Sequence, residues 1–98
     1  MNAMRLPVHP DDFDAFWNGE RQIDYRRLNE EYNLETCQPG TVVVLCSTNS
    51  GDTRQLNATI QEVHQLAATN LPADMQVRMR SIYGSLRHVM LALVLKVS

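Results

Sequence analysis

The sequence predicts an α+β fold, a small β-barrel of about five strands with two short helices. Short β-branched or alternating apolar segments recur between clusters of Gly, Pro, Asn and Asp, the punctuation of strands and turns. Two further segments place apolar side chains at helical spacing instead, one around Phe13 and Phe16, the other running through Leu71, Met75, Met79 and Ile82. The longest strand candidate, RQLNATIQEV, turns Leu56, Ala58 and Ile60 inward and then shifts phase to Val63. A bulge near Gln61 and Glu62 follows, the device by which a small sheet turns a barrel corner.

The elements read in order as strand, helix, strand, strand, strand, helix, strand. Residues 4–8 form a short apolar piece closed by Pro7 and Pro10, an edge strand. HPDDFDAFWNG has helix-start chemistry: Pro10 near the first turn, Asp11, Asp12 and Asp14 at the positive end of the dipole, and Gly19 as the stop. Phe13, Phe16 and Trp17 lie at i, i+3 and i+4 and are expected to form its buried stripe. From Glu20 to Arg27 the pattern alternates, with Ile23 and Tyr25 expected on the core face and Asp24 and Arg26 together on the other. Residues 28–38 are polar and aperiodic, a loop. Pro39-Gly40 turns the chain into TVVVLCS, a buried strand, and TNSGDT returns it. Pro72 and Gly84 bracket a short second helix, and RHVMLALVLKV, apolar on both faces, reads as a central strand.

With 98 residues, 44% of them hydrophobic, the chain suits one domain, residues 1–98, whose core needs no metal or disulfide staple. A net charge of -2 argues against a general nucleic-acid coat protein and leaves room only for a local basic patch. Arginine far outnumbers Lys96, the lone lysine, and its planar fork suits bidentate contacts to phosphate, carboxylate or a base edge. Cys37 and Cys46 have no CxxC spacing and are expected as free thiols in a reducing cytoplasm. The amino-terminal segment lacks the apolar stretch of a signal peptide, and no run spans a bilayer. His9, His64 and His88 have no metal-ligand spacing, neither cysteine is tied to a histidine, and no Gly-rich phosphate loop occurs. No catalytic residue, metal or cofactor is expected.

The segment NGERQIDYRR commits a strand to three arginines, a glutamate and an aspartate around two large apolar side chains. It is either a solvated edge, with Asp24 and Arg26 as an exposed ion pair, or the floor of a polar site. The second option has company: the aromatic helix before it, PGTVVVL, LNATIQEV and the terminal HVMLALVL together resemble the ASCH domain, a small barrel of the PUA-like superfamily. In the family's G-x-K-x-x-x-x-R pattern the matching positions here are Gly19, Arg21 and Arg26, with Pro39-Gly40-Thr41 where a G-D turn would stand. The resemblance implies a ligand cleft between the first helix and the barrel, floored by the charged strand, and binding of RNA or a modified nucleoside. The ligand-binding set on this reading is Arg21, Asp24, Arg26, Tyr32 and Arg54. Arg26 would meet a phosphate or carbonyl, Asp24 would accept from an exocyclic amine, and Tyr32 would stack.

Some ASCH proteins hydrolyse an acetylated cytidine with a lysine, a threonine and a glutamate. Here Arg21 replaces the lysine, Asp24 the threonine, and Asp74 is the only acid of the second helix. Arginine stays protonated, so inheritance of that activity is the least favoured reading. A rival class is a small acidic interaction or inhibitor protein, phage-like in type, that meets a basic nucleic-acid-binding partner through Glu30, Glu31 and Glu35, with the barrel as scaffold.

Overall fold

A computed structural model describes residues 3–98. The elements are β1 (Met4–Val8), α1 (Pro10–Trp17), β2 (Ile23–Arg27), β3 (Val42–Ser47), β4 (Gln55–Ala67), α2 (Ala73–Tyr83) and β5 (Val89–Val97), with a 3-10 turn at Ala68–Asn70. The order predicted from the sequence holds. The strands make one mixed sheet in the order β1-β3-β4-β5-β2, with β1 parallel to β3 and the other pairs antiparallel.

Local chemistry sets these boundaries. Pro10 opens α1, the His9 imidazole accepts from the Asp11 amide, and Gly19 turns the chain toward β2 at φ 77°. Gly84 ends α2 in the left-handed region, at φ 74°. The ladder between β4 and β5 skips a residue between Ile60 and Glu62, so Gln61 is the bulge read from the sequence. Beyond it β4 runs on to Ala67, further than the alternation alone indicated.

β5 is apolar on both faces because it separates two cores. Leu91, Leu93 and Leu95 join Leu6, Val43, Leu45, Ala58 and Ile60 of the sheet and Phe13 and Phe16 of α1. Met90 joins Leu71, Met75 and Met79 under α2. Full burial of such side chains is worth about 1.5–3 kcal/mol each, which offsets the ordering of so short a chain.

Three expectations need correction. Trp17 is 48% exposed; its ring stacks on Phe13 at 5.9 Å and lies under Arg54 instead of entering the core. Ile82 is 63% exposed, since the last turn of α2 overhangs a cleft beyond the end of the methionine cluster. On β2 the assignment of faces is reversed. Asp24 pairs across the ladder with Leu93 and Arg26 with Leu91, which puts the charged side chains on the main-core face, while Tyr25 packs on the methionine cluster.

Among the described residues both edges of the sheet, β1 and β2, lack a strand partner on their outer side. They face each other across a seam that side chains bridge. Arg26 Nη2 donates to the Pro7 carbonyl at 2.7 Å, and the Tyr32 hydroxyl donates to the Arg5 carbonyl at 3.3 Å. Arg5 and Pro7 share a parity on β1, so these are the two carbonyls turned away from β3. Pro7 has no amide hydrogen to satisfy and is suited to such an edge.

Candidate functional site

The seam opens into a cleft of about 270 Å³. β2 forms its floor, the β1–α1 junction one lip, and α2 the facing wall, with Met75, Met79, Ile82 and Tyr83 turned toward it. The cleft expected between the first helix and the barrel is therefore built differently. α1 contributes Asp12 from its first turn, and the larger wall comes from the second helix.

Asp24 lies at the bottom, 6% exposed, the one charged residue of the described chain to be buried. Arg26 Nε donates to its Oδ2 at 2.6 Å. Among the described residues Oδ1 receives no donor, and Arg26 Nη1 likewise has no acceptor. Burial pushes the Asp24 carboxyl above its ordinary value, more than the Arg26 guanidinium, and Arg21 beyond it, pull it down. The guanidinium also lies 5.1 Å over the Tyr32 ring. Tyr32 is itself buried, and burial raises its hydroxyl above the usual phenol range. Expected as an open stacking platform, Tyr32 has one face covered by Arg26 and its hydroxyl spent on β1; it supports the arginine.

Arg21 enters from the loop before β2. Its Nη1 donates to Asp12 at 2.7 Å, Nε to the Ile23 carbonyl at 3.1 Å, and Nη2 points at the Met75 sulfur at 3.3 Å. Arg78 of α2 reaches the other Asp12 oxygen. One carboxylate thus holds two arginines, ties α1 to α2 and leaves this wall of the cleft net positive. Arg27, at the outer end of β2, lies 5.0 Å over the Tyr83 ring at the rim.

Of the candidate residues, the fold brings Arg21, Asp24, Arg26 and Tyr32 together. Arg54 is not among them. It sits on the far side of α1, over Phe13 at 4.9 Å and Trp17 at 5.1 Å, and bridges Asp52 and Asp14 on the surface. Asp12 was legible only as a dipole acid, and no sequence signal joins it to Arg78, so far away in the chain. Asp74 is exposed and lines a neighbouring hollow beside Ile23 and Tyr25, away from Asp24. Among the described residues no serine, threonine, cysteine or lysine lines the cleft. Cys37 and Cys46 are free thiols, both buried in the sheet region. No helix among the described residues is long and apolar enough to cross a membrane.

What the cleft offers chemically is an acceptor beside a donor on its floor, apolar thioethers and an aromatic ring on one wall, and an excess of guanidinium above. No protein-family model matches the sequence, and no curated protein does. The fold is similar to the crystal structure of ASCH from Zymomonas mobilis, with a TM-score of 0.66 and 13% identity over 94% of this chain and 65% of that one. A tyrosine-to-phenylalanine mutant of that protein gives 0.66 over 67% of its chain, and a serine-to-alanine mutant 0.65 over 66%. At that identity the likeness concerns the fold alone, and the fold is ASCH-like.

Proposed function

We propose that this ASCH-like chain binds single-stranded RNA by taking one unpaired base into the seam cleft. The observation that carries the reading is Asp24, a carboxylate kept on the core face of a strand with one oxygen unspent. Burying a charge costs stability unless it is fully paired, and here the pairing is half complete. A base with an exocyclic amine would complete it: its N–H donates to Oδ1, and the ring nitrogen or carbonyl next to it accepts from Arg26 Nη1. Met75 and Met79 would pack on the base, and the Arg21–Asp12–Arg78 wall would face sugar and phosphate. The role proposed is binding, and no residue of the cleft is assigned a catalytic step.

The test is titration of the chain with the ribonucleoside 5′-monophosphates and with a short single-stranded RNA pool, beside Asp24→Asn. The amide changes the hydrogen-bonding edge with little change of shape. Binding should weaken by roughly tenfold to a hundredfold, the worth of a hydrogen bond to a charged group. Unchanged binding would reject the cleft.

A second reading keeps one specific support. Glu30, Glu31 and Glu35 have no ion-pair partner among the described residues, and their loop is held in shape by Asn29 Oδ1 accepting from the Glu31 amide and by Asn33 Nδ2 and Thr36 Oγ1 donating to the Glu30 and Glu31 carbonyls. A basic protein partner would be bound there. Charge reversal at Glu30 and Glu31 would abolish that complex and leave RNA binding intact.

A further inference from the structure

Arg5 stands apart on β1, exposed and turned to the Cys46 sulfur, and the other seven arginines divide into two groups. Arg21, Arg26, Arg54 and Arg78 are each paired with a carboxylate. Among the described residues Arg27, Arg80 and Arg87 have none, and all three are exposed. The fold gathers these three at one end. Arg27 lies over Tyr83 at 5.0 Å; Tyr83 meets His88, next to Arg87, edge-on at 5.0 Å; and Arg80 stands one turn before Tyr83 on α2. Tyr83 and Arg27 also line the rim of the cleft, whereas Arg80 and Arg87 do not. A track of uncompensated positive charge therefore starts at the cleft and leaves it past a half-exposed aromatic ring, on a chain whose net charge is -2.

We infer that this track holds the strand that flanks the bound base, so that the ligand is a single-stranded RNA segment and not a free nucleoside or nucleotide. The inference rests on the cleft reading above. Solubility alone does not require unpaired cations to adjoin a cleft. An extended polyanion does, because each phosphate matched by an arginine releases a counterion, and an aromatic ring in the path offers a face for a second base. A mononucleotide seated in the cleft would reach neither Arg80 nor Arg87.

The experiment compares the wild-type chain with Arg80→Gln/Arg87→Gln, two exposed replacements that keep good helix propensity at Arg80. Binding of ribonucleoside 5′-monophosphates and of a short random-sequence single-stranded RNA is measured across a series of salt concentrations. The expected result is tighter binding of the RNA than of any monophosphate. The salt slope for RNA should fall by about 0.7 per arginine removed, about 1.4 for the pair, with no change for the monophosphate. Equal affinity for RNA and monophosphate, or an unchanged slope in the double variant, would overturn the track and leave the cleft standing. Failure of both ligands to bind the wild-type chain would overturn the cleft reading and the track with it.

Discussion

Three arginine–aspartate pairs lie on aromatic rings among the described residues; Arg21–Asp12 over Phe16 is one, and the other two do opposite things. At the surface Arg54 clasps Asp52 at 2.8 Å and covers Phe13 and Trp17; hydrogen bonds from its side chain and backbone hold the Asp52 carboxyl below the ordinary range. In the seam Arg26 clasps Asp24 at 2.6 Å and covers Tyr32, yet burial leaves the Asp24 carboxyl above the ordinary range. The partners are the same; the solvent differs. Water completes the hydration of the outer pair, so it is a staple of modest worth. Among the described residues no donor reaches the second Asp24 oxygen, so the inner pair keeps an acceptor open to the cleft.

The largest effect should come from Arg26→Ala. It strips Asp24 of its counter-charge and frees the Pro7 carbonyl, and breaking a buried pair from one side costs about 3–5 kcal/mol, readable by equilibrium denaturation. A loss below 1 kcal/mol would mean that the seam is held by something else. Because this variant weakens the fold, loss of RNA binding in it would not isolate the site. Next in size, Gly84→Ala puts a side chain where φ is 74° and should cost about 1 kcal/mol, loosening the α2 wall. The smallest change is expected for Arg54→Gln, a slight loss of stability at neutral pH that fades in acid. A carboxyl lowered from 3.8 stabilises the folded chain above that pH and loses the contribution as pH falls through its folded value. The variant should therefore show a shallower loss of stability below pH 3.8 than the wild type, with RNA affinity unaltered. A steep change in affinity would bring Arg54 back into the site.

The elements were legible because each has a local cause: β-branched runs, Pro and Gly punctuation, the phase shift at Gln61. Of the candidate residues, Arg21, Asp24 and Arg26 were legible as one charged cluster because they sit within one turn and strand. What alternation misjudged was the side on which Asp24 and Arg26 lie. It assumes that apolar side chains own the core face, and on an edge strand beside an open seam that assumption fails. Arg54 was drawn in by its charge alone, while Asp12 and Arg78 enter through a contact between the two helices that periodicity does not encode. Tyr32 looked exposed because its neighbours in sequence are polar, and the loop folds it inward onto β1.

The central claim is that Asp24 is retained for binding at some cost to stability. The single most direct measurement is therefore the stability of Asp24→Asn across pH, read beside its RNA affinity. For a carboxyl raised above 3.8, the folded chain holds more protons than the unfolded one between that value and the folded value, so its contribution falls as pH rises through this window and stays lost above it. The account predicts that the asparagine chain gains on the wild type as pH rises through the window and is at least as stable at neutral pH, while RNA binding drops by roughly tenfold or more. An asparagine chain that is several kcal/mol less stable at neutral pH yet binds RNA as the wild type does would make Asp24 a structural residue and contradict the account.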